Sequence, residues 1–304
     1  MKTAIVTGAA SGIGRGYALA LVEKGFYVLV TDINGPGAEH VAAELNAMGP
    51  GKAEALRVDV TDVDAVAAAV HRVKDEHGRL DMIFNNAGMG VLGAVEELTV
   101  AHWRKANEVM IMGVVHGVQP AYKIMVEQGY GHIVNTASSA GLVPFAFMGP
   151  YDMAKHAVVG LTLSLRGEAA AHGIKVTCVC PGPVNTNIVR NVKDAIGATT
   201  EADIAVTAYD RVQPYLHLIP EFIIASPEVL GRKVLRAALR DRAFVLLPGY
   251  MRPLWWLQRL APTALVALGT AFSRVAKVAR PSIAERWEQR DAGDREDLAP
   301  IEAK

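Results

Sequence analysis

A chain of 304 residues, about half of them apolar, is long enough to bury one large core or two ordinary ones. Its 31 basic and 31 acidic residues cancel, so no global charge excess points to nucleic acid as a partner. Nine histidines fall without H-E-x-x-H or Cys/His ligand spacing, and the two cysteines, Cys178 and Cys180, sit two apart on one face of a strand-like run, too constrained for an ordinary disulfide. Metal chemistry and a disulfide framework therefore find no support. Unpaired thiols agree with a reducing, cytoplasmic setting. Met1-Lys2 leads directly into strand-like sequence and is read as leaving no room for a signal peptide.

The first predicted strand, Thr3 to Thr7, is followed by the turn Gly8-Ala9-Ala10-Ser11-Gly12-Ile13-Gly14 and a helical pattern that runs to Glu23-Lys24-Gly25. Gly8 permits a tight exit from the strand, Gly12 a close backbone approach to a pyrophosphate, and Gly14 close helix packing, while free amides at the helix start face phosphate. The spacing is G-x-x-x-G-x-G. Asp32 ends a second strand, Phe26 to Thr31, about twenty residues on, where a carboxylate accepts from ribose hydroxyls and repels a 2′-phosphate. NAD is thereby favoured over NADP, although Arg15 is able to approach the same region. Ala53 to Val58 reads as a third strand, with Asp59-Val60 at its carboxyl end, placed to meet an adenine. A helix from Thr61 to His77 leads to a fourth strand, Asp81 to Phe84, and then to Asn85-Asn86-Ala87-Gly88, whose small residues let backbone pass close to a ribose and whose Asn85 is able to tie strands together. A helix from Val100 to Gln128 and a fifth strand, His132 to Ala137, place Ser138 at a carboxyl strand end.

If a helix begins near Pro150, Tyr151 and Lys155 share one face, and an ammonium beside a phenol favours the phenolate. Taken alone, Y-x-x-x-K also suits an ordinary amphipathic helix. The ordered set Thr7-Gly8-x-x-x-Gly12-x-Gly14, Asp59, Asn85-Asn86-Ala87-Gly88, Ser138, Tyr151-x-x-x-Lys155 and Pro181-Gly182-Pro183-Val184-x-Thr186 resembles the short-chain dehydrogenase/reductase family over approximately residues 1 to 250. The resemblance implies a doubly wound, Rossmann-type α/β domain with a parallel seven-stranded sheet, assembled as a homodimer or homotetramer. It implies Tyr151 as acid/base, Lys155 lowering its pKa and holding the nicotinamide ribose, and Ser138 on the substrate oxygen. Gly8, Ser11, Gly12, Ile13, Gly14, Asp32, Asp59, Val60, Asn86, Ala87 and Gly88 would cradle the dinucleotide, Pro181 and Gly182 would back the nicotinamide, and Val184 and Thr186 would fix its carboxamide. One position departs: the family carries Asn three residues before Gly113, where this chain has Met110. The proton relay attributed to that Asn would then use another group, with Asn107 one turn back as a candidate.

Residues 187–227 lose periodicity and carry Ile188, Val189, Tyr209, Tyr215 and Phe222. The resemblance implies that this stretch is the family's variable substrate lid, and with Phe145, Phe147 and Met148 it suggests a bulky, largely apolar secondary alcohol or ketone, although the same side chains suit packing on one another or on a partner subunit. A helix from Pro227 to Arg240 and a last strand, Phe244 to Leu247, close the fold. Residues 251–280 hold no acidic residue but carry Arg252, Arg259, Arg274, Lys277 and Arg280 among Trp255, Trp256, Leu257 and Leu260, with a helix expected from Pro262. Interrupted by Pro253 and Pro262, they are too short to span a bilayer but suit a membrane surface, or packing over the lid or a subunit boundary. Residues 281–304 read as a charged, mobile tail. Three functions compete: an NAD-dependent alcohol dehydrogenase or ketoreductase, a dinucleotide-binding sensor with little turnover, and a peripheral membrane dehydrogenase acting on lipid-like alcohols.

Overall fold

The computed structural model describes residues 1–185, 225–271 and 273–274. The chain divides into two compact units, Met1–Trp256 and Leu257–Lys304.

Within the first unit, short β-branched and apolar runs form seven strands: β1 Thr3–Thr7, β2 Tyr27–Asp32, β3 Lys52–Arg57, β4 Met82–Asn85, β5 Gly131–Thr136, β6 Ile174–Pro181 and β7 Phe244–Leu247. All neighbours pair in parallel, in the order β3-β2-β1-β4-β5-β6-β7. The expected doubly wound α/β sheet is present. The chain leaves β3 at one edge and re-enters as β4 beside β1, so the order reverses between β1 and β4. A crevice opens at the carboxyl ends of strands at such a switch point.

Helices α1 Gly12–Val22, α2 Gly35–Asn46 and α7 Pro227–Leu239 cover one face, and α3 Val63–His77, α5 Gly113–Gln128 and α6 Gly149–Ala169 the other. Strand alternation divides the side chains: Ile5 and Ile83 join the α3/α5/α6 core, while Ala4, Val6 and Phe84 join the α1/α2/α7 core. Local signals set the helix ends. Asp62 caps α3 by accepting from the Asp64 and Ala65 amides, Gly78 ends it in the left-handed conformation, and Asn34 caps α2 through the Gly37 amide. The helix start at Gly35 is thus capped by Asn34 and not by Asp32.

The expected helix from Val100 to Gln128 is present and runs without interruption through a π-turn. It comprises α4 Val100–Asn107, a π-turn Glu108–Met112 and α5. An added Cβ on Gly113 would come within 2.9 Å of the Val60 side chain, and one on Gly117 within 2.0 Å of Asn85 Oδ1. These two glycines press α5 onto the carboxyl ends of β3 and β4, and the π-turn takes up the change of path. A similar backbone contact joins α1 to α7, where a Cβ on Gly16 would meet Pro227 O at 2.2 Å and one on Gly231 would meet Gly16 O at 2.1 Å.

Past β7 the chain forms α8 Met251–Leu260 and then α9 Pro262–Ala271. In the first unit Trp255 stacks on Phe244 with centroids 5.1 Å apart, and Met251 is buried in the α3/α5/α6 core.

Candidate active site

The glycine turn is built as a cradle. Gly8 and Gly12 have φ of 64° and 53°, a region that side chains resist. A Cβ on Gly8 would come within 2.7 Å of the Ala87 backbone, and one on Gly14 within 2.1 Å of Gly8 O. The turn is held from β4: the Thr7 hydroxyl accepts the Asn86 and Ala87 amides at 2.9 and 3.0 Å, and Asn86 Nδ2 donates to Thr7 O at 3.0 Å. Ser11 stands at the N-cap of α1 without a side-chain cap bond, and the first turn of α1 holds no acidic residue. Uncapped amides behind glycines that exclude side chains fit a pyrophosphate, so the turn suits a dinucleotide.

Asp32 closes β2 as expected. Its carboxylate accepts the Ala10 amide at 3.0 Å and the Asn34 amide at 3.0 Å, fixing it against the glycine turn. Arg15 turns elsewhere: its guanidinium pairs with Glu44 and, at 2.8 Å, with Glu228. The cation that does lie near Asp32 is Arg57, which donates to Ile33 O at 3.2 Å and packs beside Gly35. Strand register places Arg57 opposite Asp32. Sequence reasoning missed it because the pairing depends on register. Asp59 accepts the Thr61 amide and hydroxyl at 2.9 and 2.8 Å. Burial pushes its carboxyl up, but these bonds outweigh it and the net shift is downward. Val60 is buried beneath Gly113.

Ser138, Tyr151 and Lys155 converge where β5 ends. Ser138 caps a short turn, its Oγ accepting the Ala140 amide at 3.1 Å. Pro150 in the first turn of α6 starts the helix that presents Tyr151 and Lys155 on one face. Lys155 is buried, and its Nζ donates to Thr136 O at 3.0 Å. Nζ stands 5.7 Å from the Tyr151 ring centroid and would lie 3.6 Å from a Cβ on Gly88. Burial pushes the ammonium down to about 8, while the Cys180 and Cys178 thiols pull it the other way. Burial likewise pushes the Tyr151 phenol up, and its hydrogen-bond partner Ser138 pulls it down. The net direction for the phenol is upward, because burial outweighs the Ser138 bond.

Those surroundings include Met110, completely buried in a cluster with Met89, Val91, Ala106 and Ala154 against which Tyr151 packs. Asn107 ends α4 with its Oδ1 buried and without a partner among the described residues. The buried thiols Cys178 and Cys180 remain free, 3.8 Å apart.

Pro181 and Gly182 lie at the end of β6, where the Gly182 amide donates to Leu247 O at 2.7 Å and Met251 packs behind. Val184 bridges to Ala225 through the Asn185 amide and Pro183 carbonyl, so its own N–H stays outside that bridge. Thr186 and most of the expected lid at 187–227 lie outside the described residues, as does the expected tail at 281–304.

The family model for short chain dehydrogenase matches residues 2–197. The chain belongs to this family. As a short-chain dehydrogenase it is 37% identical over 195 residues to a cyclohexanol dehydrogenase of Acinetobacter sp., covering 64% of this chain and 77% of the relative. It is 40% identical over 202 residues to a cis-4-hydroxycyclohexanecarboxylate dehydrogenase of Sinomonas cyclohexanicum, covering 66% and 80%. A short-chain dehydrogenase/reductase from Burkholderia phymatum, solved in complex with NAD, superposes with a TM-score of 0.76 at 28% identity over 85% of this chain and 92% of that one. This short-chain dehydrogenase is thus an oxidoreductase of a nicotinamide-dinucleotide fold.

Proposed function

We propose that the chain is an NAD-dependent dehydrogenase of bulky, largely apolar secondary alcohols, with alicyclic alcohols as the substrate class. The convergence of Ser138, Tyr151 and buried Lys155 beside the glycine cradle carries this reading. The alicyclic class is supported by the two relatives named for cyclohexane-ring alcohols. The apolar wall of Met89, Val91 and Met110 against Tyr151 supports it too.

In alcohol oxidation, Ser138 Oγ donates to the substrate oxygen and Tyr151 accepts the hydroxyl proton. The bound nicotinamide supplies the hydride acceptor, and the donor in the reverse direction. Lys155, fixed on the Thr136 carbonyl, would hold the nicotinamide ribose and place positive charge near the phenol. Gly8, Gly12 and Gly14 would admit the pyrophosphate, Asp32 would accept from the adenosine ribose, and Asp59 and Val60 would meet the adenine. The N–H of Val184, outside its bridge, is available to the carboxamide. NAD is favoured because the Asp32 carboxylate would face a 2′-phosphate and Arg15 is already paired. Asp32→Ala, which leaves Arg57 in place, should shift preference toward NADP.

The test is to mix the protein with NAD and cyclohexanol and follow reduced cofactor by its near-ultraviolet absorbance. Tyr151→Phe should lose about 10³-fold in kcat while binding NAD as before. NAD binding with no turnover on any of a panel of secondary alcohols would instead favour the sensor reading.

A membrane-surface role is favoured by one further observation. Within the second unit Leu257, Leu260, Val266 and Leu268 are 39, 80, 60 and 61% exposed, in a stretch without acidic residues from Met251 to Arg280. Apolar side chains among cations suit the interface of an anionic bilayer. Sedimentation with phosphatidylserine vesicles should carry down the full-length protein, and Leu260→Glu with Val266→Glu should abolish that. No binding by the wild type removes the membrane reading.

A further inference from the structure

Between Ser138 and Tyr151 the chain must pass from the end of β5 to the start of α6, and the last residues of that passage are Phe145 to Met148. Phe145 is 37% exposed, and Phe147 has φ of 68°, which a bulky side chain adopts only when its neighbours impose it. Contacts from outside the loop hold it on both sides of Phe147. The Phe147 carbonyl accepts the Gly93 amide at 2.9 Å, which joins the loop to the segment after β4. At the other side the Phe145 amide donates to Asp152 Oδ2 at 2.7 Å. The Asp152 amide in turn donates to Met148 O at 2.8 Å, so a single residue closes the loop from both its backbone and its side chain.

Asp152 is an expensive residue for that position. It is 7% exposed, and its Oδ1 is buried with no partner among the described residues. A buried carboxylate with one oxygen unsatisfied costs more than an apolar residue of the same size. The first turn of α6 favours a carboxylate through the helix dipole but does not require it to be buried with one oxygen unsatisfied, whereas a charge-assisted bond to a strained loop does. Resting on the dehydrogenase reading above, we infer that Asp152 is the positioning residue for the substrate-facing loop Phe145 to Met148. Its carboxylate fixes that apolar wall to the first turn of the helix carrying Tyr151, and so sets the preference for bulky over small secondary alcohols.

The experiment compares Asp152→Ala and Asp152→Leu, which delete the acceptor with and without leaving a cavity, with Asp152→Asn, which keeps an acceptor oxygen. Selectivity, as the ratio of kcat/KM for cyclohexanol to that for 2-propanol, should fall about tenfold in the Ala and Leu variants, mainly through KM for cyclohexanol. KM for NAD should stay within about twofold, and the Asn variant should recover most of the ratio. Hydrogen exchange at the Phe145 and Gly93 amides should quicken in Ala and Leu and stay slow in Asn. Equal losses on both alcohols, or in all three variants, would overturn the selectivity role. Unchanged exchange in Ala and Leu would overturn the tether itself. If the wild type oxidises neither these alcohols nor any other of the secondary-alcohol panel, the dehydrogenase reading fails, and the exchange arm still decides whether Asp152 holds the loop.

Discussion

Met110 puts a thioether where the resemblance implies Asn, and it is completely buried in the cluster against which Tyr151 packs, so water reaches that side only by opening the packing. Met110→Asn should therefore lower stability by about 1–3 kcal/mol, from an amide placed in apolar surroundings. If a relay is being restored, the pH dependence of kcat should also move; an unchanged profile would show that the proton leaves by another route. Two other buried groups act on stability in opposite senses. Burial pushes His132 down to about 4, while its Nε2 lies 2.8 Å from the Thr177 hydroxyl. A histidine depressed in the folded state contributes fully above its unfolded value and loses that contribution as pH falls from about 6.5 towards 4. Burial pushes Asp152 up to about 6, so its carboxylate penalises folding increasingly as pH rises through the same range. His132→Gln should flatten the acid limb of a denaturation series run from pH 7 to pH 4, and Asp152→Asn should steepen it, both on the order of 1–3 kcal/mol. Identical limbs in both variants would contradict the assignment.

At the scale of elements, the site depends on helices brought closer to the sheet than side chains normally permit. Gly113 and Gly117 seat α5 against Val60 and Asn85, and Asn85 Nδ2 donates at 2.8 Å to Asn135 Oδ1, whose own amide donates at 3.1 Å to Thr162 on α6. This chain of bonds links β4, β5 and the helix that carries Tyr151. Asn85→Ala should cost about 1–3 kcal/mol and lower kcat more than it raises KM for NAD. Gly231→Ala, which drives a methyl into the Gly16 carbonyl, should lower stability by roughly 1–3 kcal/mol without altering substrate preference. The four-residue spacing of Gly113 and Gly117 was present in the sequence as a signal of close packing. The Gly16 and Gly231 contact was not, because its partners lie far apart in the chain.

For the molecule as a whole, the first unit holds all seven strands and both large core clusters, and it extends to Trp256 because Met251 and Trp255 pack on it. A chain ending at Trp256 should unfold cooperatively with Tm lowered by only a few degrees, since both large core clusters are built from residues of the first unit. A large loss of Tm would give residues 257–304 a structural role. Periodicity and glycine turns determined, from the sequence alone, the order of the strands along the chain, the glycine turn after β1 and the Tyr151/Lys155 face, because each depends on residues close in sequence. Tertiary structure alone decided which cation neighbours Asp32, since Arg57 arrives by strand register while Arg15 is captured by Glu44 and Glu228. It also decided the π-turn at Glu108–Met112, the upward shift of the Tyr151 phenol and the tether from Asp152 to Phe145. Each of these follows from burial and from contacts between segments, which a linear pattern does not encode.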